Sequence, residues 1–201
     1  MIRTLVFAML LAPMVWLGQR GPAPPLFEPA PGSPITVERD PGGIVLADMD
    51  LDGHLDIVTT HWRDRTVAIR FGDGKLSFRL APGGPIRFGY VPADIAVGDV
   101  NNDGMFDLGV TNHDSYQVDV LLGQRDKTFR TAPGSPVVAS EGGKPHTHGF
   151  VLVDLNKDGN LDMATGNNED DNLAVLLGDG RGRFSRAVGS PFPVGPSPYP
   201  F

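Results

Sequence analysis

The chain has 201 residues with 26 glycines and 19 prolines, nearly twice the usual ~12% share of those two residues in soluble proteins, so long helices are disfavoured. Apolar residues at 40% and charged residues at 20% fit an ordinary folded core and exclude collagen-like and wholly disordered classes. The absence of cysteine and a net charge of −7 exclude disulfide frameworks, thiolate metal sites and iron–sulfur clusters, and argue against nucleic acid or anionic membrane as the main partner.

From the N-terminus, residues 1–20 have the layout of a secretory signal peptide: Arg3 is the positive flank and Leu5 to Leu17 an apolar stretch broken only by Pro13. The stretch falls short of the ~20 apolar residues of a membrane span, so no membrane span is expected in the mature chain. An uncleaved N-terminal anchor is the alternative, because no small-x-small cleavage site stands near Gly18. The expected location is secreted, that is periplasmic or extracellular. Residues 21–34 form a Pro-rich linker.

Beyond the linker one unit repeats. GIVLADMDLDGHLDIVTTHW from Gly43, DIAVGDVNNDGMFDLGVTNHD from Asp94 and FVLVDLNKDGNLDMATGNNED from Phe150 align, and their first acids, Asp48, Asp99 and Asp154, lie 51 and 55 residues apart. A second marker keeps the same register: Phe27, Phe78, Phe129 and Phe184 each stand four residues before an APGSP-like stretch. Inside a unit, short apolar runs such as Ile44/Leu46, Ile57/Val58, Val67/Ile69/Phe71 and Phe78/Leu80 are separated by turn residues, the pattern of about four strands. Four-stranded units of this length predict an all-β protein built of β-propeller blades. A β-sandwich is the runner-up, but it does not explain a repeat in register. The expected repeats span about 35–82, 83–133 and 134–188, and GPSPYPF at 195–201 begins a further one within 189–201. Three complete blades leave open flanks, which predicts an incomplete propeller that continues elsewhere or self-associates through its blade edges.

Each unit carries D-x-[DN]-x-D-G-x-x-D: Asp48, Asp50, Asp52, Asp56; Asp99, Asn101, Asp103, Asp107; Asp154, Asn156, Asp158, Asp162. Oxygen side chains at alternate positions of a tight loop converge on one point, which suits a hard cation. Glycine in the sixth place permits a left-handed turn, and the seventh residue, His54, Met105 or Asn160, would serve through its carbonyl. An EF-hand would need a glutamate in the twelfth place and flanking helices. Here that place holds Thr59, Val110 or Thr165. The expectation is therefore three Ca²⁺ ions, one per repeat, in loops joining strands.

The three loops, with the repeat endings LLGQRDKTF from Leu121 and LLGDGRGRF from Leu176, resemble the FG-GAP/VCBS repeat family, related to the N-terminal propeller of integrin α subunits. The resemblance covers about residues 29–201. It implies propeller blades with calcium in the loop between the first two strands of each, held by the twelve side chains just named.

A catalytic set is not evident. His61 and His113 follow the second strand of their units, and His146 and His148 form H-x-H ahead of the third acidic loop. They are either solvated loop residues or rim groups, and the H-x-H pair could hold a transition metal only with a third ligand. Trp62 and Tyr116 sit near the same rim and could stack on a sugar or a peptide. Two functions remain: a non-enzymatic calcium-binding module recognising an extracellular protein or glycan, and, alternatively, a fragment of a secreted calcium-dependent polysaccharide-degrading enzyme.

Overall fold

The computed structural model describes residues 27–196 and 198. The signal peptide expected at 1–20, the linker up to residue 26, and residues 197 and 199–201 of the last lead-in lie outside them. The chain divides into two units, Met1–Ala30 and Pro31–Phe201. Of the first, residues 27–30 are exposed coil.

The second unit is all-β, with no helix among the described residues, and its strands fall into three antiparallel sheets. The first sheet holds β1 (Pro41–Ala47), β2 (Asp56–His61), β3 (Thr66–Gly72), β4 (Phe78–Leu80) and β5 (Ile86–Arg87). The second holds β6 (Pro92–Gly98), β7 (Asp107–Asn112), β8 (Gln117–Gly123), β9 (Phe129–Thr131) and β10 (Val137–Val138). The third holds β11 (Thr147–Val153), β12 (Asp162–Asn167), β13 (Asn172–Gly178), β14 (Phe184–Arg186) and β15 (Phe192–Pro193).

In each sheet the first four strands pair in chain order, and the two-residue last strand pairs with the third. The outer strand is thus broken in two: β4 pairs with Arg70 to Gly72 and β5 with Thr66 and Val67. The break falls on the APGSP-like stretch, where proline cannot donate to the ladder and the glycine takes φ of 88°, 89° and 85° at Gly83, Gly134 and Gly189. The expected four strands per repeat are present, and the residues after each proline turn complete the preceding sheet.

Burial follows position in the stack. β2, β3 and β7 are almost wholly buried, so their apolar residues run continuously rather than alternating. The first strands lie against one another, β6 between β1 and β11, and β6 is buried on both faces. One core joins the first and second sheets through Val58, Val67, Leu108 and Val110; another joins the second and third through Val118, Leu122, Met163 and Leu176. Full burial of such side chains contributes about 1.5–3 kcal/mol each. Ile44 and Leu46 of β1, and Val151 and Val153 of β11, remain exposed, so the three sheets form an open arc of blades.

Each first strand carries a register shift near its start, at Pro41/Ile44, Pro92/Ile95 and His148/Phe150. Threonines on the neighbouring strands occupy the gaps: Gly43 N–H donates to Thr60 Oγ1 at 2.7 Å and Asp94 N–H to Thr111 Oγ1 at 2.9 Å.

Candidate functional site

The acidic loops join the first strand of each blade to the second and share one backbone form. The fourth place is left-handed in all three (Leu51, Asn102 and Lys157, φ 58–63°), as is the glycine in the sixth (φ 83–91°). The first aspartate accepts the N–H groups of the fifth and sixth residues: Asp48 from Asp52 (3.0 Å) and Gly53 (2.9 Å), Asp99 from Asp103 and Gly104, Asp154 from Asp158 and Gly159. The fifth-place aspartates accept the N–H of His54, Met105 and Asn160. In the second and third loops Asn101 and Asn156 turn their Nδ2 onto Asp103 and Asp158, 2.9 Å in each case.

The ninth-place aspartates are fully buried, at 0% exposure, and each clasps two parts of its blade. Asp56 accepts the N–H of Met49 (2.7 Å) and Gly72 (2.8 Å), Asp107 those of Val100 and Gly123, Asp162 those of Leu155 and Gly178. Each glycine ends a third strand, and a Cβ there would run into the carbonyl of Leu55, Phe106 or Leu161. Burial pushes the Asp107 carboxyl up to about 6, against the opposing pull of its two N–H donors. The Asp56 carboxyl is raised by burial too. A carboxylate oxygen with one N–H partner keeps a lone pair, so the clasp and cation ligation are compatible.

In the first loop Asp48, Asp50 and Asp56 bring one carboxylate oxygen each within 4.8 Å of one another. The Asp50 side chain is 1% exposed. Its Oδ1 is buried without a hydrogen-bond partner, and its Oδ2 accepts from Lys127 Nζ at 2.7 Å. Lys127 comes from the β8–β9 turn of the next blade and also lies over the Phe71 ring. An orphaned buried carboxylate oxygen amid converging acids fits a hard cation. In the other two loops the oxygen set of two aspartates, one asparagine and the clasp aspartate fits the same chemistry. Neither Lys127 nor the clasp glycines stood out in the sequence. The glycines do leave a signal, standing sixteen residues after Asp56, Asp107 and Asp162.

The four histidines other than His54 lie at the other end of the strands, and the structure separates them into two kinds. His61 ends β2 and is fully buried, so it is neither a solvated loop residue nor a rim group. Its Nε2 is 3.4 Å from Glu38, which also holds Arg70 through both carboxylate oxygens at 3.0 Å. Burial lowers its pKa. His113, His146 and His148 instead gather into one cluster, with ring centroids 4.7–5.1 Å apart. A ring nitrogen of each comes within 4.8 Å of the others. The third partner that the H-x-H pair lacked in the sequence is His113, brought over by the packing of the second blade on the third. Trp62 lies on this cluster, 5.5 Å from the His113 ring. Tyr116 is held by its hydroxyl, which donates to Asp170 of the third blade and accepts from Lys144 N–H. That hydroxyl is the main reason the Asp170 carboxyl is held down at about 2.

Comparison with known proteins gives a family. No curated protein matches the chain. A crystal structure of a protein from Lactobacillus plantarum is similar at 21% identity with a TM-score of 0.46, over 73% of this chain and 40% of that one, so the chain spans less than half the length of that protein. The FG-GAP-like repeat matches residues 48–110 and again 99–165. Each match starts at the first aspartate of an acidic loop and runs beyond the next loop. Together they take in more than half of the sequence, and the chain belongs to the FG-GAP-like repeat family.

Proposed function

We propose that the chain is a calcium-stabilised repeat module of a secreted protein, and that it acts by binding an extracellular protein or glycan rather than by catalysis. The observation that carries this reading is the acidic loop repeated three times with one backbone form, together with the buried, partnerless Oδ1 of Asp50. Asp48, Asp50, Asp52 and Asp56, with their counterparts in the other two loops, would hold the ions, and the carbonyls of His54, Met105 and Asn160 would complete the sets. A divalent cation supplies charge neutralisation: three or four acids in one turn repel one another, and the penalty is greatest where they are buried.

The apolar N-terminal stretch after Arg3 supports export, and no helix among the described residues is long and apolar enough to cross a membrane. The exposed apolar residues of β1 and β11 are the faces on which further blades, or a second copy, would pack.

Scanning calorimetry of the full chain in millimolar calcium and in chelator tests the reading. Extracellular calcium sites dissociate at ~10⁻⁴–10⁻³ M, so each loop should add about 1 kcal/mol. At a chain of this size three loops should raise the melting temperature by about 6–12 °C. A melting curve indifferent to chelator refutes it.

A further inference from the structure

We propose that His113, His146 and His148 form a binding site for one divalent transition-metal ion, zinc foremost, that ties the second blade to the third. The site is separate from the acidic loops and goes beyond the calcium reading. His113 directly follows β7, while His146 and His148 flank the start of β11, and the acidic loops lie at the opposite ends of those strands.

Three features make this a built site. The first is its donor set. Three imidazoles meet with ring nitrogens within 4.8 Å. A tetrahedral zinc with nitrogens at about 2.0–2.1 Å would hold them about 3.3 Å apart, a closure that small ring rotations supply. Imidazole suits zinc, copper or nickel, whereas calcium takes oxygen ligands. The two kinds of cation therefore sort to opposite ends of the blades.

The second feature is the surroundings of each ring. His113 Nδ1 is 2.6 Å from Asp114 Oδ1, His146 Nδ1 is 3.2 Å from Glu169 Oε1, and His148 Nδ1 is 3.3 Å from Asp94 Oδ2. A carboxylate on Nδ1 selects the tautomer that carries its proton there, and the lone pair a metal takes is then on Nε2. Carboxylates placed in this way orient metal-binding histidines and raise their basicity. Here all three rings have one, drawn from three separate segments of the chain. The three carboxylates beside the rings also add negative charge around the cluster, which a divalent ion offsets.

The third feature is the backbone. His113 N–H donates to Val91 O at 3.1 Å, and its carbonyl accepts from Thr147 N–H at 3.4 Å. His146 N–H donates to Asn167 Oδ1 at 2.8 Å and its carbonyl accepts from Asn168 N–H at 2.9 Å. The register shift at His148/Phe150 lets Gly149 N–H donate to Asp94 Oδ2 at 3.0 Å, the same oxygen that faces His148. The side chains are 24%, 22% and 12% exposed, so water reaches the cluster. A fourth coordination position can therefore be taken by water or by a donor from a bound molecule.

The test is zinc titration of the full chain in saturating calcium, followed by calorimetry and by nitrogen-15 NMR of the imidazoles. One zinc should bind per chain, and of the five histidines only His113, His146 and His148 should show the shift of a metal-bound Nε2. His113→Ala and His146→Ala should each abolish the zinc heat and leave the calcium-dependent rise in melting temperature in place. Glu169→Gln should weaken zinc about 10- to 100-fold. Zinc that calcium displaces, zinc that shifts His54 instead, or an unmoved histidine spectrum would overturn the proposal, the last leaving the cluster as ion pairs alone. A failed calcium response with intact zinc binding would sink the calcium reading and not this one.

Discussion

The clasp aspartates give the sharpest energetic test, because the same residues are expected calcium ligands and the two roles can be separated. Asp162→Ala removes both acceptors for the N–H groups of Leu155 (3.0 Å) and Gly178 (2.9 Å) from a site that is 0% exposed. A buried donor left without a partner costs about 1–3 kcal/mol, so two cost about 4 kcal/mol. That is a large part of the ~5–15 kcal/mol that holds a domain folded. With a urea slope of about 2 kcal/mol per molar, the midpoint should fall by about 2 M. The measurement belongs in chelator, where calcium contributes nothing. Asp158→Ala, at an exposed position of the same loop, should there shift the midpoint by less than about 0.5 M. In millimolar calcium both variants should lose the stabilisation of the third loop. A loss below 1 kcal/mol for Asp162→Ala in chelator, or equal losses for the two variants, would refute the clasp.

Two further outcomes follow from the same geometry. Gly123→Ala places a Cβ against the Phe106 carbonyl and disturbs the N–H bonded to Asp107, so it should cost about 2–4 kcal/mol by thermal unfolding, within the range of overpacking plus one lost buried bond; a change under 0.5 kcal/mol would count against it. Asp107, pushed up to about 6 by burial, gives an inverted pH dependence in chelator. Between about pH 4 and 6 the folded chain keeps a proton that the unfolded chain releases, so stability should fall as pH rises through that window. Asp107→Asn should flatten the fall in urea titrations at stepped pH, and a fall of equal size in that variant would assign it to another group.

The sequence carries the blades because their signals are local. Apolar runs, turn glycines and the loop motif recur at 51 and 55 residues, and the first four strands of each sheet pair in chain order within one unit, so the all-β arc follows from pattern alone. The broken outer strand is less visible: two residues such as Ile86 and Arg87 have no periodicity, and only their pairing with Thr66 and Val67 shows which sheet they join. The loop oxygens were legible as an expected ligand set. The second role of Asp56, Asp107 and Asp162 was not, since a carboxylate reads the same whether it faces an ion or two amides. The histidine cluster lay furthest from reach: His113 and His146 are 33 residues apart and meet only because one blade packs on the next. His61 was misplaced for a related reason. Glu38, which faces it, and Arg70, which shares that carboxylate, come from before β1 and from β3, and nothing in their spacing links them to it.

The clasp closes entirely inside one blade, from a loop aspartate to a glycine sixteen residues later, and it is the same three times. The joints between blades differ. The first and second meet through Lys127 and Asp50, the second and third through Asn102 and Asn160 and through Tyr116 and Asp170. A gene segment encoding one unit could therefore be copied or deleted whole without spoiling any blade's interior, while the seams would diverge and come to fix the order of the copies. Shuffling two blades of this chain should leave each clasp intact and give neighbours that no longer fit.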